Sequence, residues 1–147
     1  MSTFFRRALM LSVGFVTLLG LVSVPAQAAV SCSGTITARK YIGYAELVIY
    51  YNSSNGGTNS ACLNHLGDSY GVSRPTSVQI FRCAEKSGQG QECTVTASSR
   101  RDSDSYAYYA GPVGVTGTAN YCVAASGSIL WDGETRYVNT GRQGCPN

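Results

Sequence analysis

The sequence predicts an all-β fold: a small, disulfide-stabilised antiparallel sandwich or barrel of about seven short strands. Three observations predict it. Beyond residue 28 there is no helical periodicity of useful length, and the composition favours Gly, Ser, Thr, Tyr and Val, the residues of strands and turns. Runs of alternating apolar and polar residues are separated by frequent turn signals. All six cysteines, Cys32, Cys62, Cys83, Cys93, Cys122 and Cys145, fall in this part of the chain.

The first residues set the compartment. Arg6 and Arg7 precede an apolar run from Ala8 to about Val24, and Pro25-Ala26-Gln27-Ala28 closes it with small residues at Ala26 and Ala28. A charged start, an apolar middle and an A-x-A exit describe a secretory signal peptide, residues 1–28, removed on export. The run is marginal for a bilayer span, so no stable membrane insertion is expected after cleavage. Residues 29–147 are then a single secreted domain. The whole chain carries a net charge of +3, and loss of Arg6 and Arg7 leaves +1. That balance has no electrostatic footprint for nucleic acid or an anionic membrane.

An even number of cysteines in a small exported domain reads as disulfides. The paired short spacings of a zinc site are missing, and there is no C-x-x-C redox pair. Neither a metal nor a cofactor is expected.

The elements follow in order. In Tyr44–Tyr51, "YAELVIYY", Ala45, Leu47 and Ile49 share one face, and Glu46, Val48 and Tyr50 the other. Asn55-Gly56-Gly57 lies at the heart of a turn, and Ala61–Leu66 returns as the partner strand. Thr76–Cys83 alternates Val78 and Ile80 with Ser77, Gln79 and Phe81, and Gln91–Ala97 is strand-like again. Between them, Cys83 and Cys93 bracket a polar tip whose glycines suggest flexibility. Ser98–Ser105, "SSRRDSDS", reads as an exposed, self-neutralising loop, and Tyr106–Gly117 as extended, with Gly111-Pro112 a break or edge position. Ala119–Ile129 and Glu134–Thr140 supply the last strands, joined through Trp131-Asp132-Gly133.

Few residues point to chemistry. His65 is the only histidine, and on a strand it shares a face with Ala61 and Leu63; a surface or half-buried position is expected rather than a catalytic triad. Asp102 and Asp104 sit beside Arg100 and Arg101, which compete with any cation, and Gly133 between Asp132 and Glu134 indicates turn chemistry. No catalytic residue is assigned. The ten tyrosines all lie beyond residue 28. Tyr106, Tyr108, Tyr109 and Trp131 are the expected contact residues for a surface polymer or a protein, because such rings join apolar area to a polar tip.

Taken in order, "YYNSSNGGTNSAC" (Tyr50–Cys62), "YAGPV" (Tyr109–Val113), "YCVAASGSI" (Tyr121–Ile129) and the terminal Gly144-Cys145 resemble the spore-associated protein A-like family of small secreted actinobacterial proteins. The resemblance covers about residues 32–145. It implies an exported protein, extracellular or associated with the cell surface or spores, and transfers no catalytic residue. The chain departs from the family at Ala124 and Ala125, where the family pattern has Asp and Trp. Cys32, Cys62, Cys122 and Cys145 match family positions, leaving Cys83 and Cys93 as an added pair. That division favours a Cys83–Cys93 bond; the other four pair as Cys32–Cys62 with Cys122–Cys145, or cross.

The resulting expectation is a non-enzymatic secreted or surface-associated structural or interaction protein. The alternative is an extracellular binding or inhibitor module, for a wall polysaccharide or a protease, the latter using the tip Ala84–Glu92.

Overall fold

A computed structural model describes residues 30–146; the signal-peptide reading, residues 1–28, lies outside them. Nine strands form two antiparallel sheets that pack as a sandwich: β1 (Thr35–Tyr41), β2 (Ala45–Asn52), β3 (Thr58–His65), β4 (Arg74–Cys83), β5 (Val95–Ser98), β6 (Asp102–Tyr106), β7 (Tyr109–Thr116), β8 (Val123–Trp131) and β9 (Glu134–Asn139). One sheet has the order β1-β2-β3-β7. The other has the order β5-β4-β8-β9, with β6 also paired to β4. Among the described residues no helix is long and apolar enough to cross a membrane.

Alternation builds the core. Ala45, Leu47 and Ile49 of β2 and Ala61 and Leu63 of β3 face Val78 and Ile80 of β4 and Val123, Ala125 and Ile129 of β8, all fully buried. Burying each of the larger aliphatic side chains contributes about 1.5–3 kcal/mol. The β2–β3 turn forms where the residue types require it: Asn55 and Gly56 both take positive φ, 54° and 69°. Asp132 and Gly133 do the same between β8 and β9, at 50° and 75°, which accounts for the acid as a turn residue. Gly111-Pro112 falls on β7, an edge strand, opposite a register shift between Ala61 and Leu63. A Cβ on Gly111 would stand 2.7 Å from the Ala61 carbonyl oxygen.

Two strands were not expected. β1 is an edge strand that is mostly exposed, with Ala38 alone of its apolar residues packed against the core, so no alternating apolar stripe marks it. The charged loop expected at Ser98–Ser105 is corrected: Asp102–Tyr106 is a strand paired from Tyr106↔Arg74 to Asp102↔Val78. Ladder bonds to β4 override the poor strand propensity of Asp and Ser. The strand expected over Gln91–Ala97 shortens to Val95–Ser98, because Gln91 and Thr94 are drawn into other bonds.

The disulfides are Cys32–Cys62, Cys83–Cys93 and Cys122–Cys145. The first ties the amino-terminal segment across the outer face of β3, where Val30 covers Gly114. The other two pack together with Phe81 and Ala124 as a second small core. The glycine-rich tip is therefore not free. Arg142 bonds the carbonyls of Ser87 and Glu92, and its backbone pairs with Gly90 and Gln91. Cys83, Glu85 and Cys93 lie close enough to suggest metal ligands, but both sulfurs are consumed in the disulfide and the Glu85 carboxylate is bonded to Thr94.

Chain-entropy arithmetic values the Cys83–Cys93, Cys122–Cys145 and Cys32–Cys62 bonds at about 2.7, 3.4 and 3.6 kcal/mol. Replacing each pair with serine should lower the denaturation midpoint in that order. Removing Cys83–Cys93 together with Cys122–Cys145 should depart from additivity by more than about 0.5 kcal/mol. Removing Cys83–Cys93 with the distant Cys32–Cys62 should be additive. Urea unfolding of the three pairs and two double variants measures both expectations.

Candidate functional site

The outer face of the first sheet carries one row across four strands. Tyr41 pairs with Glu46, Glu46 with Asn64, and Asn64 with Tyr109, so all four point away from the core. Glu46 is the odd residue in an apolar strand, buried to 9 % exposure and held by two contacts, 3.1 and 3.0 Å, from Arg39 Nη1. The bond to Glu46 and its charge raise the Arg39 guanidinium above its ordinary value.

At the Tyr109 end of the row a groove of about 500 Å³ opens, lined by Glu46, Asn64, Leu66, Tyr70, Tyr108 and Tyr109 among others. Three chain segments place its rings. Tyr70 comes from the loop after β3, Tyr108 from the turn between β6 and β7, and Tyr109 from the start of β7. Tyr70 and Tyr108 meet edge to face with centroids 5.0 Å apart. Their backbones are fixed: the Gly71 N–H donates to the Ala107 carbonyl and the His65 N–H to the Tyr108 carbonyl, both at 2.8 Å. Tyr70, Tyr108 and Tyr109 are 64, 52 and 47 % exposed, a group of rings whose contact area is not spent on the core.

Tyr106 supports this surface from behind. Its hydroxyl donates to Asp102 Oδ1, and Asp102 Oδ2 accepts the Gly111 N–H at 2.6 Å. The bond to Asp102, then burial and the charges of Asp102 and Asp104, push the Tyr106 hydroxyl up to about 12. Tyr106 also joins Tyr108, Tyr109 and Gly111 around a second hollow of about 290 Å³. Of the four expected contact residues, Tyr106, Tyr108 and Tyr109 are thus brought together. Trp131 is not among the groove's lining residues: it is 8 % exposed, against Tyr44 at 5.1 Å and below the Arg74 guanidinium. Tyr70, Glu46 and Asn64 were missed by sequence reasoning. The signal for Glu46 was its outward position in a strand otherwise apolar on both faces.

His65 is corrected from a surface or half-buried residue to a buried one, 1 % exposed. Its Nδ1 lies 3.1 Å from the Ser69 carbonyl and its Nε2 2.8 Å from Thr76 Oγ1. It clips β3 to β4 beneath the groove, and both ring nitrogens are occupied. Burial pushes its pKa down, against smaller opposite effects of the Ser69 and Ala107 carbonyls.

A hollow of similar size, about 530 Å³, lies beside the Cys83–Cys93 hairpin, but Phe81 is the one aromatic ring in its lining. No protein-family model matches this chain, and neither a curated protein nor a solved structure gives a match.

The His65 shift sets a pH dependence. With its folded pKa below the ordinary 6.5, the unfolded chain binds the extra proton first. Stability is therefore complete above about 6.5 and falls as the pH drops through the window beneath it. The melting temperature of the wild type should fall between pH 7 and 5, and His65→Gln should flatten that slope even where it lowers stability throughout.

Proposed function

We propose that this chain is an exported, surface-associated interaction protein that performs no catalysis, and that the tyrosine groove is its contact face for an extracellular polysaccharide. The observation that carries the reading is the convergence of Tyr70, Tyr108 and Tyr109 from three segments around a floor containing Glu46 and Asn64. Sugar rings present apolar C–H faces edged by hydroxyls. Exposed tyrosines offer matching apolar area with a polar tip, and a fixed carboxylate and an amide accept and donate at the edges.

The non-enzymatic part of the proposal rests on where the polar groups are spent. His65 is sealed between Ser69 and Thr76, Asp102 is bonded by Tyr106 and Gly111, and Asp132 shapes a turn. The secreted, spore-associated setting is supported by the disulfide framework and by the resemblance of the "YAGPV" and "YCVAASGSI" segments.

Pull-down on insoluble cell wall and on chitin-like polymer tests the reading. The wild type should be retained, and Tyr70→Ala and Tyr108→Ala should each weaken retention about fivefold, roughly 1 kcal/mol per ring. Trp131→Phe should leave it unchanged. Equal retention of wild type and the Tyr70→Ala/Tyr108→Ala double variant, or retention of neither, sinks the polysaccharide reading.

A further inference from the structure

We propose that the loop Ala84–Glu92 is a substrate-like inhibitory loop for a trypsin-like serine protease, with Lys86–Ser87 as its reactive peptide bond. This is independent of the polysaccharide reading and stands on the other end of the sandwich.

Lys86 is an exposed cation on the Cys83 arm of a disulfide-closed loop, ahead of the turn at Gly88–Gln91. A protease with a carboxylate at the base of its specificity pocket takes such a side chain. Among the described residues the Lys86 N–H and C=O make no hydrogen bond, whereas the residues on either side are bonded. The Glu85 carbonyl accepts the Cys122 N–H at 2.8 Å. The Glu85 carboxylate accepts the Thr94 hydroxyl at 2.6 Å and the Thr94 N–H at 3.1 Å. These bonds hold that carboxyl below its ordinary value. On the far side the Ser87 carbonyl accepts from Arg142 Nη1 at 2.9 Å, and Arg142 also pairs with Glu85 at 3.3 Å. Arg142 is anchored in turn by its backbone bonds to Gly90 and Gln91, three residues before the Cys122–Cys145 disulfide. One peptide bond is thus left free for an enzyme while both of its flanks are fastened to the body of the protein.

That pattern separates an inhibitor from a substrate. The protease serine oxygen bonds to the Lys86 carbonyl carbon, its proton passes through the enzyme's histidine to the Ser87 nitrogen, and the Lys86–Ser87 bond breaks. In an untethered loop the new amine departs and water hydrolyses the ester. Here Cys83–Cys93 and the Arg142 bonds keep the Ser87 amine beside the ester, so it attacks the same carbon, re-forms the peptide and returns the proton to the serine oxygen. Preorganisation also removes the ordering cost that a glycine-rich tip would otherwise bring to binding. Lys86 Nζ sits 5.4 Å from the Tyr121 ring centroid, a weak contact at an exposed site that the side chain gives up on entering the pocket. Arg100 and Arg101 are also exposed, but no disulfide closes their segment.

The test is inhibition of trypsin by the chain from residue 29 onward, read with a chromogenic peptide substrate. The folded wild type should inhibit competitively and one-to-one. Lys86→Ala should raise the inhibition constant at least a hundredfold, and Lys86→Leu should transfer inhibition to chymotrypsin. Arg101→Gln should change nothing. Arg142→Gln, with its fold checked by circular dichroism, should be cleaved at Lys86–Ser87 faster than the wild type. Absence of inhibition by the folded wild type, inhibition that survives Lys86→Ala, or rapid wild-type cleavage without inhibition overturns the proposal. Loss of polysaccharide binding would leave it untouched.

Discussion

The rest of the structure depends on the seating of β4 between its neighbours. This strand pairs with β8 along one edge and with β6 and then β5 along the other, so it is the only one of the nine described strands bonded to three others. Its inward residues Thr76, Val78 and Ile80 close the sandwich over β2 and β3. A slip of one residue would turn Ser77 and Gln79 into the core and expel Val78 and Ile80, so the register is strongly specified. The same strand positions both proposed contact surfaces. Near its start, Thr76 meets His65 beneath the tyrosine groove; at its end, Cys83 closes the Lys86 loop.

Legibility in the sequence follows burial. β2 could be read because Ala45, Leu47 and Ile49 face the core, and the β2–β3 turn because Asn55 and Gly56 are residue types that tolerate positive φ. β1 and β6 could not be read, since neither buries an apolar stripe and both exist through ladder bonds to a partner strand. The tyrosine face was half legible. Tyr108 and Tyr109 stood out as neighbours, but Tyr70 and Glu46 reach the groove only through tertiary contact. Trp131 illustrates the converse: its size suggested a contact residue, yet size serves equally well under Tyr44 and Arg74. For the hairpin tip, glycine content suggested flexibility; the bonds to Arg142 come from a residue some fifty positions away, beyond the reach of local composition.

Division of labour between core and staples is consistent with a small domain held in an oxidising setting. Most of the buried aliphatic volume lies between the sheets, while the Lys86 end has little apolar core beyond Phe81, Ala124 and four cysteines. Covalent bonds substitute there for the hydrophobic burial that a domain of this size cannot extend to every corner. The tyrosine end needs no disulfide of that kind, because Asp102, Ser69 and His65 fasten its loops with hydrogen bonds.

The central functional claim is that ligand contact occurs at the tyrosine groove. Amide and side-chain chemical shifts recorded during titration with soluble wall-glycan or chitin fragments address it directly. Perturbations should be confined to Tyr70, Tyr108, Tyr109, Asn64 and Glu46, with the β4–β5 hairpin silent. Perturbations centred on the hairpin or on the face around Phe81, or none at saturating fragment, would contradict it.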